Sequence, residues 1–419
     1  MAPDPSGRTA RGTARHAWWN AVVTPTTPPL EQRRIDLLAL EDQLSDRERE
    51  WRDGVRDLVD RTIRPNAARW FADATFPAGL VPELGAAGLL GAHLTGYGCA
   101  GRTAVEYGLA AMELEAGDSG IRTLVSVQGS LAMTAIARYG TEAQRERWLP
   151  PMAAGEALGC FGLTEPEAGS DPAGMRTTAI PTADGGWSIT GSKRWIGLAS
   201  VAEVAVIWAR TEEGVAAFLV PTATPGFTAT PIAPKLSMRA SVQCDIALHD
   251  VRVPPEARLP DARGLGAALR CLNEARYGIA WGAMGAARDA MEVAVAYAKQ
   301  REQFGSPIAA FQLTQQKLVD MQLEIEKGLL LALHLGRLKD AGRLTPEQVS
   351  VGKLNNVREA IEVCRQARTI LGGNGVTTEL SPLRHALNLE SVRTYEGTDE
   401  VHTLVLGAAI TGIPAFRIG

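Results

Sequence analysis

Residues 160–171 read Cys160-Phe161-Gly162-Leu163-Thr164-Glu165-Pro166-Glu167-Ala168-Gly169-Ser170-Asp171, and the sequence pattern changes at this stretch. Apolar residues recur at helical spacing before it, whereas short apolar runs separated by Gly, Pro and Asp follow it. Its glycines, proline and hydroxyls offer exposed backbone N–H groups and short donors to a planar polar ligand, although an ordinary linker has a similar composition. The stretch therefore separates helical from β structure and is a candidate binding loop.

The sequence before this stretch indicates a helical unit over residues 42–155. Ser45-Asp46-Arg47-Glu48 has the pattern of a capping box, and apolar residues follow it at helical spacing until Pro65. A second capping box at residues 141–144 predicts a helix that stops before Pro150. The first ordered domain is therefore expected to be α-helical.

Residues 1–41 are expected to form a flexible N-terminal extension. They are rich in Pro, Thr, Gly and Arg and lack a sustained apolar period. An arginine-rich, acid-poor start is also typical of a transit peptide. A single serine and the prolines Pro25, Pro28 and Pro29 argue against an amphipathic targeting helix.

The sequence after this stretch predicts a β unit followed by a second helical unit. Over residues 156–264, strands are predicted by short apolar runs at residues 187–190, 204–208, 217–220 and 244–248. Over residues 265–419, helical periodicity returns near residues 275–300 and 309–340 and in a helix that begins at Thr345 and ends at the glycines of residues 371–375. The predicted fold class is therefore α+β.

The composition is that of an ordinary globular protein and disfavours several functions. Hydrophobic residues make up 45% and charged residues 21%, and the formal net charge of -4 gives no general attraction to nucleic acid or anionic lipid. No window approaches the roughly 18 uninterrupted apolar residues that a membrane-spanning helix needs. We therefore expect no nucleic-acid or membrane partner, and a location in the cytoplasm or, in a eukaryote, the mitochondrial matrix.

Cysteine and histidine usage does not indicate disulfides or a metal site. The five cysteines are far apart without a CxxC pair, and the six histidines show no HxxxH or HxxE spacing. We therefore expect neither a disulfide framework nor a bound metal.

Two further segments combine residues that core packing alone does not require. Arg301-Glu302-Gln303-Phe304-Gly305 precedes Phe311-Gln312, and a glycine-rich turn follows at residues 372–375. An arginine can pair with a diphosphate that glycines allow to approach, although a helix-end charge and a helix C-cap would explain each feature alone. The third segment, Thr394-Tyr395-Glu396-Gly397-Thr398-Asp399-Glu400, contains a glutamate that either does chemistry or caps the following helix.

In order and separation, the three segments resemble the acyl-CoA dehydrogenase family across roughly residues 42–415. Glutaryl-CoA dehydrogenases are the members that the chain resembles most. This similarity is carried by Tyr97-Gly98-Cys99-Ala100-Gly101, Ser126-Val127-Gln128, Cys271-Leu272-Asn273, Ala275-Arg276-Tyr277-Gly278-Ile279-Ala280-Trp281-Gly282 and Tyr395-Glu396-Gly397-Thr398. The resemblance implies an N-terminal helical domain over residues 42–155, a middle β-barrel or sheet domain over 156–264 and a C-terminal four-helix bundle over 265–419.

The resemblance also implies non-covalently bound FAD and a homotetramer in which neighbouring subunits share each cofactor site. The isoalloxazine ring would lie against the middle domain and contact Phe161, Leu163, Thr164, Ser170, Trp195, Ile196 and Gly197. The diphosphate and adenosine of a neighbouring subunit's cofactor would contact Arg301, Phe304, Gln312, Thr369, Ile370, Leu371, Gly372 and Gly373, with Thr398 nearby.

By the same resemblance, Glu396 is the catalytic base. The α C–H of a thioester is only weakly acidic, so its removal needs a positioned carboxylate and hydrogen bonds to the developing enolate oxygen. The backbone N–H of Glu396 and a flavin ribose hydroxyl would donate those bonds, and the β hydrogen would leave as hydride to the flavin. An electron-transfer flavoprotein would then reoxidise the reduced cofactor.

The substrate that the resemblance implies is glutaryl-CoA, converted to crotonyl-CoA and carbon dioxide. Residues at the family's substrate-binding positions are Glu115, Arg122, Thr123, Ser126, Ser170, Arg276, Tyr395 and Gly397. The fork of Arg122 suits the distal carboxylate, because a guanidinium can form two parallel charge-assisted bonds with it. Without the resemblance, Glu115 and Arg122 could be a surface ion pair.

Four residues depart from the family pattern and leave other functions open. Gly197 and Leu198 stand where a hydroxyl residue and Asn are frequent, Ile121 precedes Arg122 where an aromatic is common, and Glu274 replaces an Asn. The alternatives are a dehydrogenase for another acidic acyl chain on CoA or a carrier protein, a flavin oxygenase and a non-catalytic flavoprotein. Such oxygenases and non-catalytic proteins often lack the glutamate that this chain retains.

Overall fold

Two groups of helices flank a β-sheet in the computed structural model, which describes residues 35–415. This arrangement confirms the α+β fold class predicted from the sequence. Most of the predicted N-terminal extension, residues 1–41, lies outside the described residues. Its described end contacts the C-terminal helices, because the Leu37 N–H donates to Glu326 at 2.7 Å and Gln322 donates to the carbonyl of Ile35 at 3.0 Å.

The first helical group includes a short, largely exposed hairpin of β1 (Thr95–Gly96) and β2 (Cys99–Ala100). Its helices are α1 (Asp46–Leu58), α2 (Arg64–Asp73), α3 (Val81–Ala86), α4 (Ala104–Gly117), α5 (Ser119–Val125), α6 (Thr134–Tyr139) and α7 (Glu142–Ala154). Both predicted capping boxes form, at the starts of α1 and α7. A third box, between Thr103 and Glu106, starts α4.

Two predicted helix ends were wrong, and both involve proline. The chain passes from α1 into α2 through a π-helical turn, Val59–Ile63, so the helical path does not end at Pro65, which stands in the first turn of α2. Helix α7 continues past Pro150 to Ala154. Leu149 and Met152 are buried in the core, and their packing stabilises a helix that lacks the hydrogen bonds of its prolines.

The middle part of the chain is an eight-stranded sheet. Its strands are β3 (Gly159–Gly162), β4 (Thr178–Pro181), β5 (Trp187–Gly197), β6 (Val204–Thr211), β7 (Gly214–Pro221), β8 (Phe227–Pro231), β9 (Gln243–Val253) and β10 (Arg258–Arg263). Seven of them follow the order β10-β7-β6-β4-β5-β9-β8, and the eighth, β3, pairs in parallel with β6. The four apolar runs predicted as strands lie within β5, β6, β7 and β9, which confirms those predictions.

The second helical group begins directly after the sheet. Its helices are α8 (Leu265–Gln300), α9 (Gln312–Asp340), α10 (Pro346–Ile370), α11 (Ser381–Thr394) and α12 (Asp399–Thr411), with a hairpin of β11 (Glu302–Gln303) and β12 (Ser306–Pro307) between α8 and α9. Helices α8 to α11 pack as the predicted four-helix bundle, and α12 lies against α10. Helix α8 starts about ten residues earlier than its periodicity indicated, because Ala267, Ala268 and Cys271 are buried against the sheet.

Glycines allow α8 to approach α4 closely. A Cβ atom on Gly285 would overlap the carbonyl oxygen of Met112, and one on Gly282 would overlap the Glu115 carboxylate. At Gly282 and Gly285, the backbone of α8 therefore packs directly against α4 with no side chain between them. This close crossing brings Glu115 of the first group beside the bundle of the second.

Candidate active site

The loop between α11 and α12 holds Glu396 in an unusual backbone conformation. Its φ is 58°, and that of the following Gly397 is 93°. Such a left-handed conformation costs a non-glycine residue about 1–3 kcal/mol and persists only where the surroundings impose it. Thr398 ends the loop by capping α12, since its hydroxyl accepts a hydrogen bond from the Val401 N–H at 3.4 Å.

Two cations from the bundle impose this loop conformation. Arg276 of α8 donates from Nε to the Glu396 carbonyl at 2.7 Å. Lys353 of α10 donates to the carbonyls of both neighbours, Tyr395 and Gly397. Three consecutive carbonyl groups are thus bound to cationic side chains, buried Lys353 and half-buried Arg276, which fixes the orientation of Glu396.

Sequence reasoning missed Lys353. The residue is 2% exposed, and it lies on the face of α10 that also buries Val349 and Val357. A lone lysine at an apolar helical position was the available signal, because a buried lysine requires partners. Those partners lie more than forty residues away in sequence, so the pattern alone could not identify them.

The carboxyl group of Glu396 is poised to accept a proton. Its Oε2 atom is buried and has no hydrogen-bond partner among residues 35–415. Burial raises the pKa of Glu396 above its usual value, although Arg276 and Lys353 oppose that rise. A carboxylate with a raised pKa is a stronger base than an exposed one, which suits proton abstraction near neutral pH.

A second polar group, formed by Glu115, Arg122, Thr123 and Tyr395, lies next to the Glu396 loop. Arg122 donates from Nε to Glu115 at 2.7 Å and from Nη2 to the Tyr395 hydroxyl, which is 3.1 Å from the Thr123 hydroxyl. The Arg122 and Glu115 side chains are 2% and 0% exposed, which excludes the surface ion pair considered from the sequence. We refer to these four residues as the arginine pocket.

Charge pairing keeps the guanidinium of Arg122 protonated. Burial alone would lower the pKa of Arg122, but Glu115 and Tyr395 reverse the effect and hold the pKa above its usual value. Burial raises the pKa of Tyr395 to about 12, so its hydroxyl keeps its proton. Ser126, the remaining predicted substrate residue of this region, is buried at the start of the π-helical segment Ser126–Met133 that follows α5.

The predicted isoalloxazine residues gather where β5 meets the loop of residues 163–170. Phe161 and Leu163 are buried, whereas Ser170 is exposed. The Arg194 N–H donates to the Thr164 carbonyl at 2.9 Å, which binds the loop to the strand. Trp195, Ile196 and Gly197 follow immediately on that strand.

An irregular register in β5 exposes an aromatic surface at this point. The pairing of β5 with β9 shifts between Lys193 and Ile196, and Trp195 has a φ of 63° and a side chain that is 53% exposed. Buried Lys193 donates to the Leu163 carbonyl at 3.1 Å and to Glu165 at 2.8 Å, so these two bonds also attach the loop to β5. The result is an exposed indole beside a rigid loop with polar groups.

The residues predicted to contact a neighbouring subunit's cofactor lie at the opposite end of α8. Arg301 follows the helix, and Phe304, 96% exposed, lies in the β11–β12 hairpin. Asn374, beside Gly372 and Gly373, donates to Tyr297 at 3.1 Å and so joins the turn after Thr369, Ile370 and Leu371 to this end. At 1.5 Å per residue, Arg276 and Arg301 are about 37 Å apart along the helix. Within one chain, the residues at this end of α8 therefore lie far from Glu396.

Three of the four residues that depart from the family pattern have structural roles. Glu274 accepts from Arg138 at 2.9 Å and from Lys339 at 2.6 Å, so its carboxylate is occupied by ion pairs. A Cβ atom on Gly197 would lie 3.2 Å from a Val127 methyl group, which leaves little room for a side chain there. Ile121 is fully buried in the core.

Residues 35–415 contain no group of three or more His, Cys, Asp and Glu side chains that could hold a metal ion. No helix in the same range is long and apolar enough to cross a membrane.

Comparisons with known proteins agree with this architecture. The chain matches profiles of the N-terminal, middle and C-terminal domains of acyl-CoA dehydrogenase over residues 45–156, 160–251 and 262–411. A glutaryl-CoA dehydrogenase structure from Mycobacterium smegmatis is 63% identical, covers 91% of this chain and 99% of its own, and superimposes with a TM-score of 0.90.

Two further relatives bear on cofactor and substrate. A Mycobacterium smegmatis glutaryl-CoA dehydrogenase in complex with FADH2 is 57% identical, with coverages of 91% and 98% and a TM-score of 0.90. The human short-chain specific acyl-CoA dehydrogenase is 35% identical over 84% of this chain and 87% of its own length. With profile matches to all three domains and relatives of this identity over most of its length, the chain belongs to the acyl-CoA dehydrogenase family.

Proposed function

We propose that the protein is an FAD-dependent glutaryl-CoA dehydrogenase that oxidises and decarboxylates its substrate to crotonyl-CoA and carbon dioxide. The observation that carries this proposal is the buried arginine pocket directly beside Glu396, since Tyr395 belongs to one and adjoins the other. The 63% identity to a glutaryl-CoA dehydrogenase supports the same substrate. Arg122 has guanidinium N–H groups beyond those that donate to Glu115 and Tyr395, and a distal carboxylate would accept from them whereas an uncharged acyl chain would not, which disfavours such substrates.

The surface around Trp195 fits an isoalloxazine ring. An indole that is 53% exposed offers an apolar face to a flat ring system, and the adjoining loop carries Thr164 and exposed Ser170 as donors. Phe161, Leu163, Ile196 and Gly197 would complete the contact with the ring. The chemistry that FAD supplies when bound is acceptance of the β hydrogen as hydride.

In the proposed reaction, Glu396 removes the α proton of the acyl chain. Its backbone N–H, held in place by the loop conformation, donates to the thioester carbonyl and stabilises the developing enolate. Arg122 binds the distal carboxylate and thereby aligns the α and β carbons with the base. Arg276 binds the Glu396 loop from α8, beside the thioester end of the chain.

Decarboxylation would follow from the same arrangement. Loss of carbon dioxide from the unsaturated acid breaks the bond to the distal carboxyl carbon and leaves its electron pair in an extended enolate. Glu396, which now carries the abstracted proton, protonates the γ carbon and returns to its ionised form. One residue thus acts first as base and then as acid.

Product analysis tests this proposal. Anaerobic incubation of the holoenzyme with glutaryl-CoA is expected to bleach the flavin and to release crotonyl-CoA and carbon dioxide in equal amounts. Accumulation of glutaconyl-CoA without carbon dioxide would contradict the decarboxylation, and an unbleached flavin would contradict glutaryl-CoA as the substrate.

We also propose a homotetramer that uses an electron-transfer flavoprotein as electron acceptor. The residues proposed to bind the cofactor at the far end of α8 lie far from the Glu396 site of their own chain, so in this proposal a second subunit would supply them. The 96% exposed ring of Phe304 supports this arrangement, because burial between subunits would remove it from water.

Loss of Arg301 is expected to weaken cofactor retention. Arg301→Ala removes a cation proposed to bind the cofactor diphosphate across the subunit boundary, so the variant should lose FAD during gel filtration while Lys299→Ala, at the same exposed helix end, keeps it. The flavin-to-protein absorbance ratio measures FAD retention, and the eluted mass measures the oligomeric state. A monomer that holds FAD equally well without Arg301 would contradict this assignment.

A further inference from the structure

We propose that Lys353 is the positioning residue for the catalytic base, holding the Glu396 loop through its two flanking carbonyls and favouring the ionised carboxylate. The inference rests on the proposed role of Glu396. Lys353 is a buried side chain of α10, and its position in the sequence does not indicate a part in the chemistry.

The first support is the hydrogen-bond geometry. Lys353 donates to the carbonyls of Tyr395 and Gly397, the residues immediately before and after Glu396. A single ammonium group thus spans the strained residue, whose φ of 58° would otherwise relax toward an ordinary conformation. Without this span, the backbone carbonyl of Glu396 would keep its bond to Arg276, but the carbonyls on either side of it would lose their cation.

The second support is the burial of the charge. Lys353 is 2% exposed, so its ammonium group has exchanged water for carbonyl oxygens and neighbouring charges. Burial lowers the pKa of Lys353 to about 7, against the opposing effect of Glu396. A lysine used only to fasten a loop would cost less in a solvent-exposed position.

The third support is the charge distribution around the ammonium group. The titratable groups that face it are Glu396, Arg276, Asp399, Arg122 and His402. Asp399 already accepts from Arg358 at 2.9 Å and from Arg393 at 2.7 Å. Glu396, by contrast, has a carboxylate oxygen without a hydrogen-bond partner in the described part of the chain. Its ionised form is therefore the one that the Lys353 charge stabilises most.

The pH dependence of kcat/KM distinguishes this role from simple loop support. A nearby cation lowers the pKa of a carboxyl group, so removal of the cation raises that pKa. The acid limb of the kcat/KM pH profile, where activity falls as the base is protonated, then moves to higher pH. For Lys353→Met we expect this limb to move up by about one pH unit. We also expect kcat to fall about 10- to 100-fold, with a smaller change in KM, because the base is misplaced.

Two comparison variants make the test specific. Lys353→Arg retains the charge and should move the acid limb less than half as far. Lys235→Met removes another lysine that donates to two carbonyls, those of Met238 and Ser241, and should leave the limb at the wild-type pH. If Lys353→Met does not fold, the arginine variant still decides, because a shift of a full pH unit with the charge retained would overturn the proposal.

Two outcomes separate this inference from the role of Glu396 itself. A lower Tm and FAD content in Lys353→Met with an unchanged acid limb would reduce Lys353 to loop support and overturn the inference alone. Near-normal turnover in Glu396→Gln would overturn the assignment of the base, whatever the lysine variants do.

Discussion

Glu396→Gln is expected to reduce flavin bleaching by glutaryl-CoA about 10²–10⁴-fold, the usual contribution of one positioned base. The amide cannot accept the α proton, yet it has nearly the size and shape of the carboxyl group that it replaces. Arg276 and Lys353 contact backbone carbonyls of this loop and not the side chain, so the loop should keep its conformation. Stopped-flow measurement of anaerobic flavin reduction gives the rate directly.

Cofactor content and product binding serve as controls for this variant. FAD retention and Tm should match those of the wild-type protein, and crotonyl-CoA should bind with similar affinity, since none of these depends on proton transfer. Reduction at more than a tenth of the wild-type rate would mean that another group removes the proton.

Arg122→Ala is expected to cost glutaryl-CoA on the order of 2–5 kcal/mol in kcat/KM, by comparison with other truncated buried charge pairs. The change removes the cation of the arginine pocket and leaves Glu115, which is 0% exposed, as an uncompensated charge. Butyryl-CoA has the same chain length up to the missing carboxylate and should lose little. Steady-state kinetics with both substrates therefore separates recognition of the acid from general damage.

A second variant reaches the same pocket without removing its charge. Gly282→Ala would place a methyl group against the Glu115 carboxylate and close to Arg122 Nε. The ion pair then has to move, so the preference for glutaryl-CoA should fall while Arg122 remains in the sequence. An unchanged substrate preference in both variants would contradict recognition of the substrate carboxylate by the arginine pocket.

The order of the helical and β units could be predicted from sequence because the signals are local. Capping boxes start α1 and α7, and apolar runs between Gly and Pro turns mark β5, β6, β7 and β9. Helix ends were less predictable. The π-helical turn before Pro65 and the continuation of α7 through Pro150 depend on packing against distant residues.

The candidate site shows the same limit. Glu396 and Arg122 were identified through resemblance to a family, since a glutamate beside glycine and an arginine seven residues from a glutamate are unremarkable patterns on their own. Lys353 and the clearance provided by Gly282 were missed because their contacts join segments far apart in sequence. Such contacts follow from the crossing of α8 with α4 and of α10 with the Glu396 loop.

The ratio of kcat/KM for glutaryl-CoA to that for butyryl-CoA tests the central claim most directly. A pocket built around a buried arginine should favour the acid by at least about 100-fold, because an uncharged chain cannot accept hydrogen bonds from the guanidinium N–H groups beyond those that donate to Glu115 and Tyr395. Equal values, or a preference for butyryl-CoA, would contradict a pocket that recognises carboxylate and would place the protein with the short-chain dehydrogenases that it also resembles.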